Sequence, residues 1–206
     1  MSFRSSCTEN GVLIFMKIGC IILAGGKSSR MGEDKALLKY QGKSFIGVIS
    51  EELESFEEKM IARGNNSNII MNGEWTVIPD EYPDHGPLGG LHATLKKCKS
   101  DAMFVVTCDM PLIKKELAQK LCTIFTENSQ IDAVISVASN GKIHPLCGVY
   151  RKELYVDMED KLLQDNNRMM AMLKEKNIKY IELDDEESRY LENINTKDDY
   201  KSFINT

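Results

Sequence analysis

Three cations, Lys27, Arg30 and Lys35, follow the pair Gly25-Gly26 within ten residues. Glycine lacks a Cβ, so the backbone there can take positive φ and let a phosphate or a flat ring approach its N–H groups. Cations behind such a loop suit a polyphosphate. Two carboxylates recur in comparable settings further on: Asp80 after Val77-Ile78-Pro79, and Asp109 after the apolar run 102–107. A carboxylate at the end of a buried strand is well placed to hold Mg²⁺, which usually takes one or two carboxylates together with phosphate oxygens. Met110-Pro111 then halts the chain. Ordinary turns use the same residues: Asp109 could cap the next turn, Asp80 could be a turn former, and a glycine-rich surface loop could carry solvated lysines.

The elements that must position these groups alternate strand and helix. Ile18 to Leu23 is short, apolar and β-branched, as in a fully buried parallel strand, and it opens directly into the glycine loop. Residues 36–40 and 41–46 read as two short extended pieces around a turn, followed by a helix over 46–56 with apolar positions at Ile46, Ile49, Leu53 and Phe56. Strands are expected at 59–62, 69–71 and 76–78, and a helix over 88–97 behind the turn-rich segment 81–90. Residues 102–107 are apolar on both faces and belong in the middle of a sheet. A helix over 114–125, a strand over 132–137 and the hairpin signal Asn140-Gly141 come next. The hairpin partner, 142–150, contains Pro145, which cannot donate to a ladder; it is therefore an edge or bulged strand, antiparallel in an otherwise parallel sheet. Helices over 151–164 and 167–176, a strand over 179–183 and a helix over 196–203 complete the chain. Thr196 with Asp199 three residues on approaches a capping box. This pattern is an α/β fold of three layers, α/β/α, in which ligands sit beyond the carboxyl ends of the strands.

Composition narrows the function. A chain of 206 residues is long enough for one domain with a continuous core. A net charge of −5 leaves no broad excess of Lys and Arg to displace counterions, which argues against a nucleic-acid binder. Six scattered cysteines without a C-x-x-C pair read as reduced thiols in a cytoplasmic protein. The apolar stretch 12–24 faintly resembles a secretory signal, but Lys17 interrupts it and it is too short to span a bilayer. Residues 1–15 read as an N-terminal extension, disordered or from an upstream start. Met16-Lys17 looks like the natural beginning, and 16–206 is expected to form a single domain.

The glycine loop departs from common phosphate motifs. Five residues, not four, separate Gly26 from Gly32, Glu33 follows where a Walker A loop has Lys, and G-x-G-x-x-G is absent. The thirteen residues 23–35 instead resemble, position by position, L-A-G-G-x-S-x-R-M-G-x-D-K, the signature of nucleotidyltransferases acting on molybdopterin. The chain is most similar to the molybdenum cofactor guanylyltransferase (MobA) family. Cys108-Asp109-Met110-Pro111 matches the family's Mg²⁺ position. Asp80 matches its nucleotide-contacting aspartate, and Gly86-Pro87-Leu88-Gly89-Gly90 its G-P-L-x-G loop. Asn65 falls near a nucleoside-contacting asparagine, in a register uncertain by a residue or more. His144-Pro145-Leu146 and Asn193-Ile194-Asn195-Thr196 match H-P-L and N-I-N-T.

The resemblance implies a Rossmann-like nucleotidyltransferase fold and transfer of GMP from GTP to molybdopterin or its molybdenum form. Arg30, Lys35 and Asp109 would be catalytic. Leu23, Ala24, Gly25 and Gly26 would meet the base, with Asn65, Asp80 and Lys35 also on the nucleotide. His144, Arg168, Asn193 and Asn195 are assigned toward the pterin. Implied partners are GTP, the pterin, other cofactor-biosynthesis proteins and molybdoenzyme chaperones, with no nucleic acid and no membrane. The related cytidylyltransferases resemble L-A-A-G at the loop; Gly26 here leaves room for a purine, which favours GTP. A molybdopterin cytidylyltransferase, a sugar-phosphate nucleotidyltransferase and a catalytically silent GTP sensor are the alternatives, the last disfavoured by Lys35 and Asp109.

Overall fold

The computed structural model describes residues 4–9, 12–24, 35–63 and 74–205. Ten strands are seen there: β1 (Arg4–Glu9), β2 (Val12–Leu23), β3 (Lys39–Tyr40), β4 (Lys43–Ser44), β5 (Lys59–Arg63), β6 (Thr76–Pro79), β7 (Ala102–Thr107), β8 (Ala133–Val137), β9 (Ile143–Arg151) and β10 (Ile178–Glu182). The helices are α1 (Phe45–Glu52), α2 (Gly86–Lys97), α3 (Lys115–Thr126), α4 (Leu154–Leu163), α5 (Met169–Leu173), α6 (Asp185–Ser188) and α7 (Lys197–Ile204). The strand expected at 69–71 lies outside the described residues. The first extended piece after the glycine loop begins instead as a 3-10 turn, Lys35–Leu37, closed by Leu38 N–H on the Lys35 carbonyl at 3.2 Å. β3 and β4 then pair through Gln41 and Gly42, both at positive φ, the mirror-image turn that suits strand twist.

The main sheet runs β10-β8-β9-β7-β2-β5-β6, with β1 antiparallel to the first half of β2. From β6 through β5, β2 and β7 all neighbours are parallel. In chain order the path goes outward from β2 to β5 and β6, then returns to β7 on the other side of β2, so the connection reverses between β2 and β7. Such a reversal opens a crevice at the carboxyl ends of the two strands. β9 is the antiparallel member, and it takes the bulged form: Ile135 pairs with Gly148 but Ser136 with His144, so residues 145–147 of β9 loop out. That bulge accommodates Pro145 and lets β9 lie between β8 and β7 rather than at a border.

Both faces of the sheet are covered, which explains why its central strands are apolar throughout. Cys20, Ile22, Phe104 and Val106 face α1 and α3, packing on Ile49, Leu117, Leu121 and Phe125. Ile21, Leu23, Met103 and Val105 face the opposite way, against Leu88, Leu91 and Leu95 of α2, Met158 of α4 and Met172 of α5. A third, smaller cluster docks the end of the chain: Leu38, Phe45 and Ile194, with Tyr40, Tyr200 and Phe203 against them. α7 starts with the capping box expected from sequence, Asp199 N–H on Thr196 Oγ1 at 3.0 Å and Thr196 N–H on Asp199 Oδ2 at 2.8 Å. Cys20, Cys98, Cys122 and Cys147 are free thiols, and these four and Cys108 are all buried. No described helix is long and apolar enough to cross a membrane.

Candidate active site

At the crevice between β2 and β7 the chain brings together groups far apart in sequence. Asp109 stands two residues past the end of β7, its side chain 16% exposed, and Lys35 sits in the 3-10 turn that follows the glycine loop. Lys35 Nζ is 3.5 Å from Asp109 Oδ2 and donates to Asn195 Oδ1 at 2.7 Å. The other carboxylate oxygen, Oδ1, accepts from Thr107 Oγ1 at 2.5 Å and from Asn193 Nδ2 at 2.9 Å. The Asp109 side chain is thus held on one oxygen by two neutral donors, and its second oxygen faces a cation. An oxygen in that position suits Mg²⁺, whose remaining ligands would be phosphate oxygens and water. No group of three or more His, Cys, Asp or Glu side chains able to hold a metal occurs among the described residues.

Asp80 approaches from the other side of β2. It follows β6, its backbone N–H on the Arg63 carbonyl at 3.3 Å, and its Oδ1 is buried with no hydrogen-bond partner among the described residues. Burial pushes its carboxyl up to about 6. The carboxylate lies over Gly90 of α2. A Cβ there would sit 3.2 Å from Asp80 Oδ1 and 3.0 Å from the Ala62 Cβ, so glycine makes the approach possible. An unpaired buried carboxylate at a strand end is costly unless something else pairs with it. Leu23 and Ala24 are both buried, and Leu23 Cδ2 would lie 3.6 Å from the same Gly90 Cβ. The Leu23 carbonyl already accepts from Cys108 N–H at 3.0 Å, and Ala24 N–H donates to Ala62 at 2.9 Å. Gly25, Gly26, Arg30 and Asn65 lie outside the described residues.

A polar cleft of about 700 Å³ opens on the Asn193 side, between the β8–β9 turn and the segment from α6 to α7. Its lining includes Asn140, Lys142, His144, Arg189, Asn193 and Asn195. The turn is built by Asn140-Gly141 as expected, with Gly141 at φ +80° and its N–H on the Ala138 carbonyl at 2.8 Å. His144 is buried in the cleft wall. Burial, with Lys142 nearby, lowers its pKa. Arg168 is not among the cleft residues; it is exposed at the start of α5, whose Met169, Met172 and Leu173 pack with α2 and α4 on the opposite face of the sheet. Thr107 was not singled out from sequence. The available signal was a hydroxyl two residues before a strand-end Asp, where alternation can place both side chains on one face.

Comparison with known proteins gives the family and the fold. The family described as MobA-like NTP transferase domain matches residues 20–180. The chain is 34% identical over 187 residues to the probable molybdenum cofactor guanylyltransferase of Aquifex aeolicus (strain VF5), covering 90% of this chain and 89% of that protein. It is 31% identical over 195 residues to the protein of the same description from Geobacillus sp. (strain WCH70), covering 91% and 98%. Among solved structures, the molybdopterin-guanine dinucleotide biosynthesis protein A of Archaeoglobus fulgidus shares the fold with a TM-score of 0.75 at 24% identity, covering 91% and 97%. A family match across most of the chain, on a Rossmann-like sheet with a Lys and an Asp at its switch point, means that the protein belongs to the MobA-like NTP transferases and is a nucleotidyltransferase.

Proposed function

We propose that the protein transfers GMP from GTP to the terminal phosphate of molybdopterin, or of its molybdenum-loaded form, and releases pyrophosphate. The observation that carries this reading is the pairing of Lys35 with Asp109 across the β2–β7 crevice, 3.5 Å apart. A phosphate monoester has a second pKa of about 6 and is largely ionised near neutral pH, so the acceptor needs no strong general base. The obstacle is the meeting of two anions. Lys35, with Arg30 supplied by the preceding loop, neutralises the triphosphate and stabilises charge as the acceptor oxygen attacks the α-phosphorus in line with the departing pyrophosphate. Asp109 would hold Mg²⁺ through Oδ2, the ion adding charge neutralisation on the phosphates. Asp80 contacts the nucleoside: a donor on the base or ribose would satisfy the oxygen that has no partner among the described residues. Leu23, Ala24 and the Gly25-Gly26 backbone bound the base pocket, with Asn65 on the nucleoside. The polar cleft beside Asn193 takes the acceptor, with His144 in its wall; Arg168, on the other face, is assigned to the pterin by resemblance alone. The reaction belongs to the cytoplasm.

The test is pyrophosphate release with Mg²⁺ and molybdopterin, comparing GTP with CTP, ATP and UTP. Release with GTP alone supports the guanylyl reading. Preference for CTP would keep the fold and remove the base assignment. GTP binding without release from any nucleotide would indicate a sensor.

A further inference from the structure

Asn193 and Asn195 were assigned to the acceptor by resemblance, but their side chains point to a different task. Asn193 Nδ2 donates to Asp109 Oδ1 at 2.9 Å, and Asn195 Oδ1 accepts from Lys35 Nζ at 2.7 Å. Between them Ile194 is 4% exposed and packed with Leu38 and Phe45, and its N–H donates to the Asp109 carbonyl at 2.9 Å. The segment is therefore anchored at its centre by an apolar plug and a backbone hydrogen bond, and the two flanking amides reach the two charged groups of the site. Downstream it is tied again, Asn195 N–H and Thr196 N–H both donating to Asp199 Oδ2 at 3.0 and 2.8 Å. Thr107 holds the same Asp109 oxygen from the strand side.

We infer that Asn193, Asn195 and Thr107 are positioning residues: together they orient the Asp109 carboxylate and the Lys35 ammonium, so that Asp109 Oδ2, which faces Lys35 and is not taken up by the two neutral donors, is presented to the metal–nucleotide complex before the acceptor arrives. This rests on the nucleotidyltransferase reading and refines its site. An unclamped carboxylate can rotate about its χ2 and exchange its two oxygens, so neither the oxygen offered to the metal nor the position of the Lys35 ammonium stays fixed. Hydrogen-bonding partners of metal-binding carboxylates commonly alter metal affinity by about 10- to 100-fold when lost. An amide contacting only the acceptor would leave metal–nucleotide affinity untouched.

The test uses the full chain and Mn²⁺ as the probe. Mn²⁺ binding in the presence of GTP and the absence of molybdopterin is measured by electron paramagnetic resonance, with steady-state kcat and acceptor KM measured alongside. Asn193→Ala should weaken Mn²⁺ binding about 10- to 100-fold, and Asn195→Ala should lower kcat at least as much; neither should raise the acceptor KM more than about twofold. Thr107→Val should reproduce the Mn²⁺ defect, while Thr107→Ser, which keeps the hydroxyl, should restore it. Thr107 is not part of the cleft lining, so an acceptor contact could not produce that pair of results, and it keeps the inference testable if Asn193→Ala does not fold. Unchanged Mn²⁺ binding with a raised acceptor KM in Asn193→Ala would overturn the clamp and return both asparagines to the acceptor. Equal behaviour of the Thr107→Val and Thr107→Ser variants would also overturn it. A wild-type chain that binds Mn²⁺ and GTP yet releases no pyrophosphate would refute the enzyme reading alone, leaving the variant comparison to decide the clamp.

Discussion

Replacing Asp80 with asparagine should make this protein more stable and a poorer binder of nucleotide. The carboxyl is moved by burial from 3.8 to about 6, and at about 1.36 kcal/mol per pH unit that is about 3 kcal/mol of penalty on the charged form. The side chain is only half-buried, so solvent screening reduces the effect to about 1–2 kcal/mol. The sign follows from proton counting. Between about pH 4, where the unfolded carboxyl titrates, and pH 6, where the folded one does, the folded state holds a proton that the unfolded state lacks. Asp80 therefore penalises the folded state fully above pH 6, and the penalty fades as pH falls toward 4. Asp80→Asn has almost the same shape and removes the charge. Its thermal midpoint should exceed wild type by about 2–8 °C at pH 7.5, at roughly 2–4 °C per kcal/mol for a chain of this size. The gap should close near pH 4. His92 and His144, whose pKa values burial lowers, act with the opposite sign: their neutral folded forms lose stability as pH falls through about 6.5. The quantity to read is accordingly the difference between variant and wild type, measured by circular dichroism from pH 4 to 8. Affinity for GTP should fall about tenfold or more, the ordinary cost of losing a hydrogen bond to a charged group. A variant less stable than wild type at pH 7.5, or a gap independent of pH, would refute the account of Asp80 as a carboxylate whose buried oxygen has no partner among the described residues and is held ready for ligand.

Asp109→Ala should abolish turnover while leaving measurable GTP binding, and Lys35→Met should lower kcat by about 10²–10³; pyrophosphate release and isothermal titration distinguish the two steps, and unchanged turnover in either variant would remove that residue from the mechanism. Gly90→Ala places a Cβ 3.2 Å from Asp80 Oδ1. Overpacking of about 1–3 kcal/mol is partly offset by about 1 kcal/mol of helix propensity, so the thermal midpoint should move by only a few degrees while GTP affinity falls with the displaced carboxylate. Thr196→Ala breaks the capping box of α7 and should cost about 1 kcal/mol, read as a midpoint lower by about 2–4 °C, with little change in kcat.

Much of this fold is legible in the chain because its signals are local. Residues 102–106 carry apolar side chains at every position before the run ends at Thr107, and β7 does lie in the middle of the sheet with both faces covered. Thr196 and Asp199 make their capping box from neighbours three residues apart, and Asn140-Gly141 turns the chain as such pairs do. The antiparallel strand was legible too, since Pro145 forbids a continuous ladder. What Pro145 left open was whether the strand is bulged or borders the sheet. The order β8-β9-β7 decided that, because the bulge absorbs residues 145–147 and frees the rest of β9 to pair on both sides.

The site divides along the same line. Sequence alone singled out Lys35, Asp80 and Asp109 as candidates, the carboxylates through their place at strand ends and Lys35 in a thirteen-residue signature, because a glycine loop and a strand-terminal carboxylate are short-range patterns. It could not say that Lys35 would meet Asn195 across 160 residues, that Asn193 would reach Asp109 across 84, or that Arg168 would fall outside the cleft holding His144. Those outcomes depend on which way the chain leaves β2, on the return to β7, and on Ile194 finding its pocket beside Phe45. No pattern within one helical turn or one strand encodes them. A hydrogen bond between distant residues is set by the packing of every element between them, and that is settled only when the core closes.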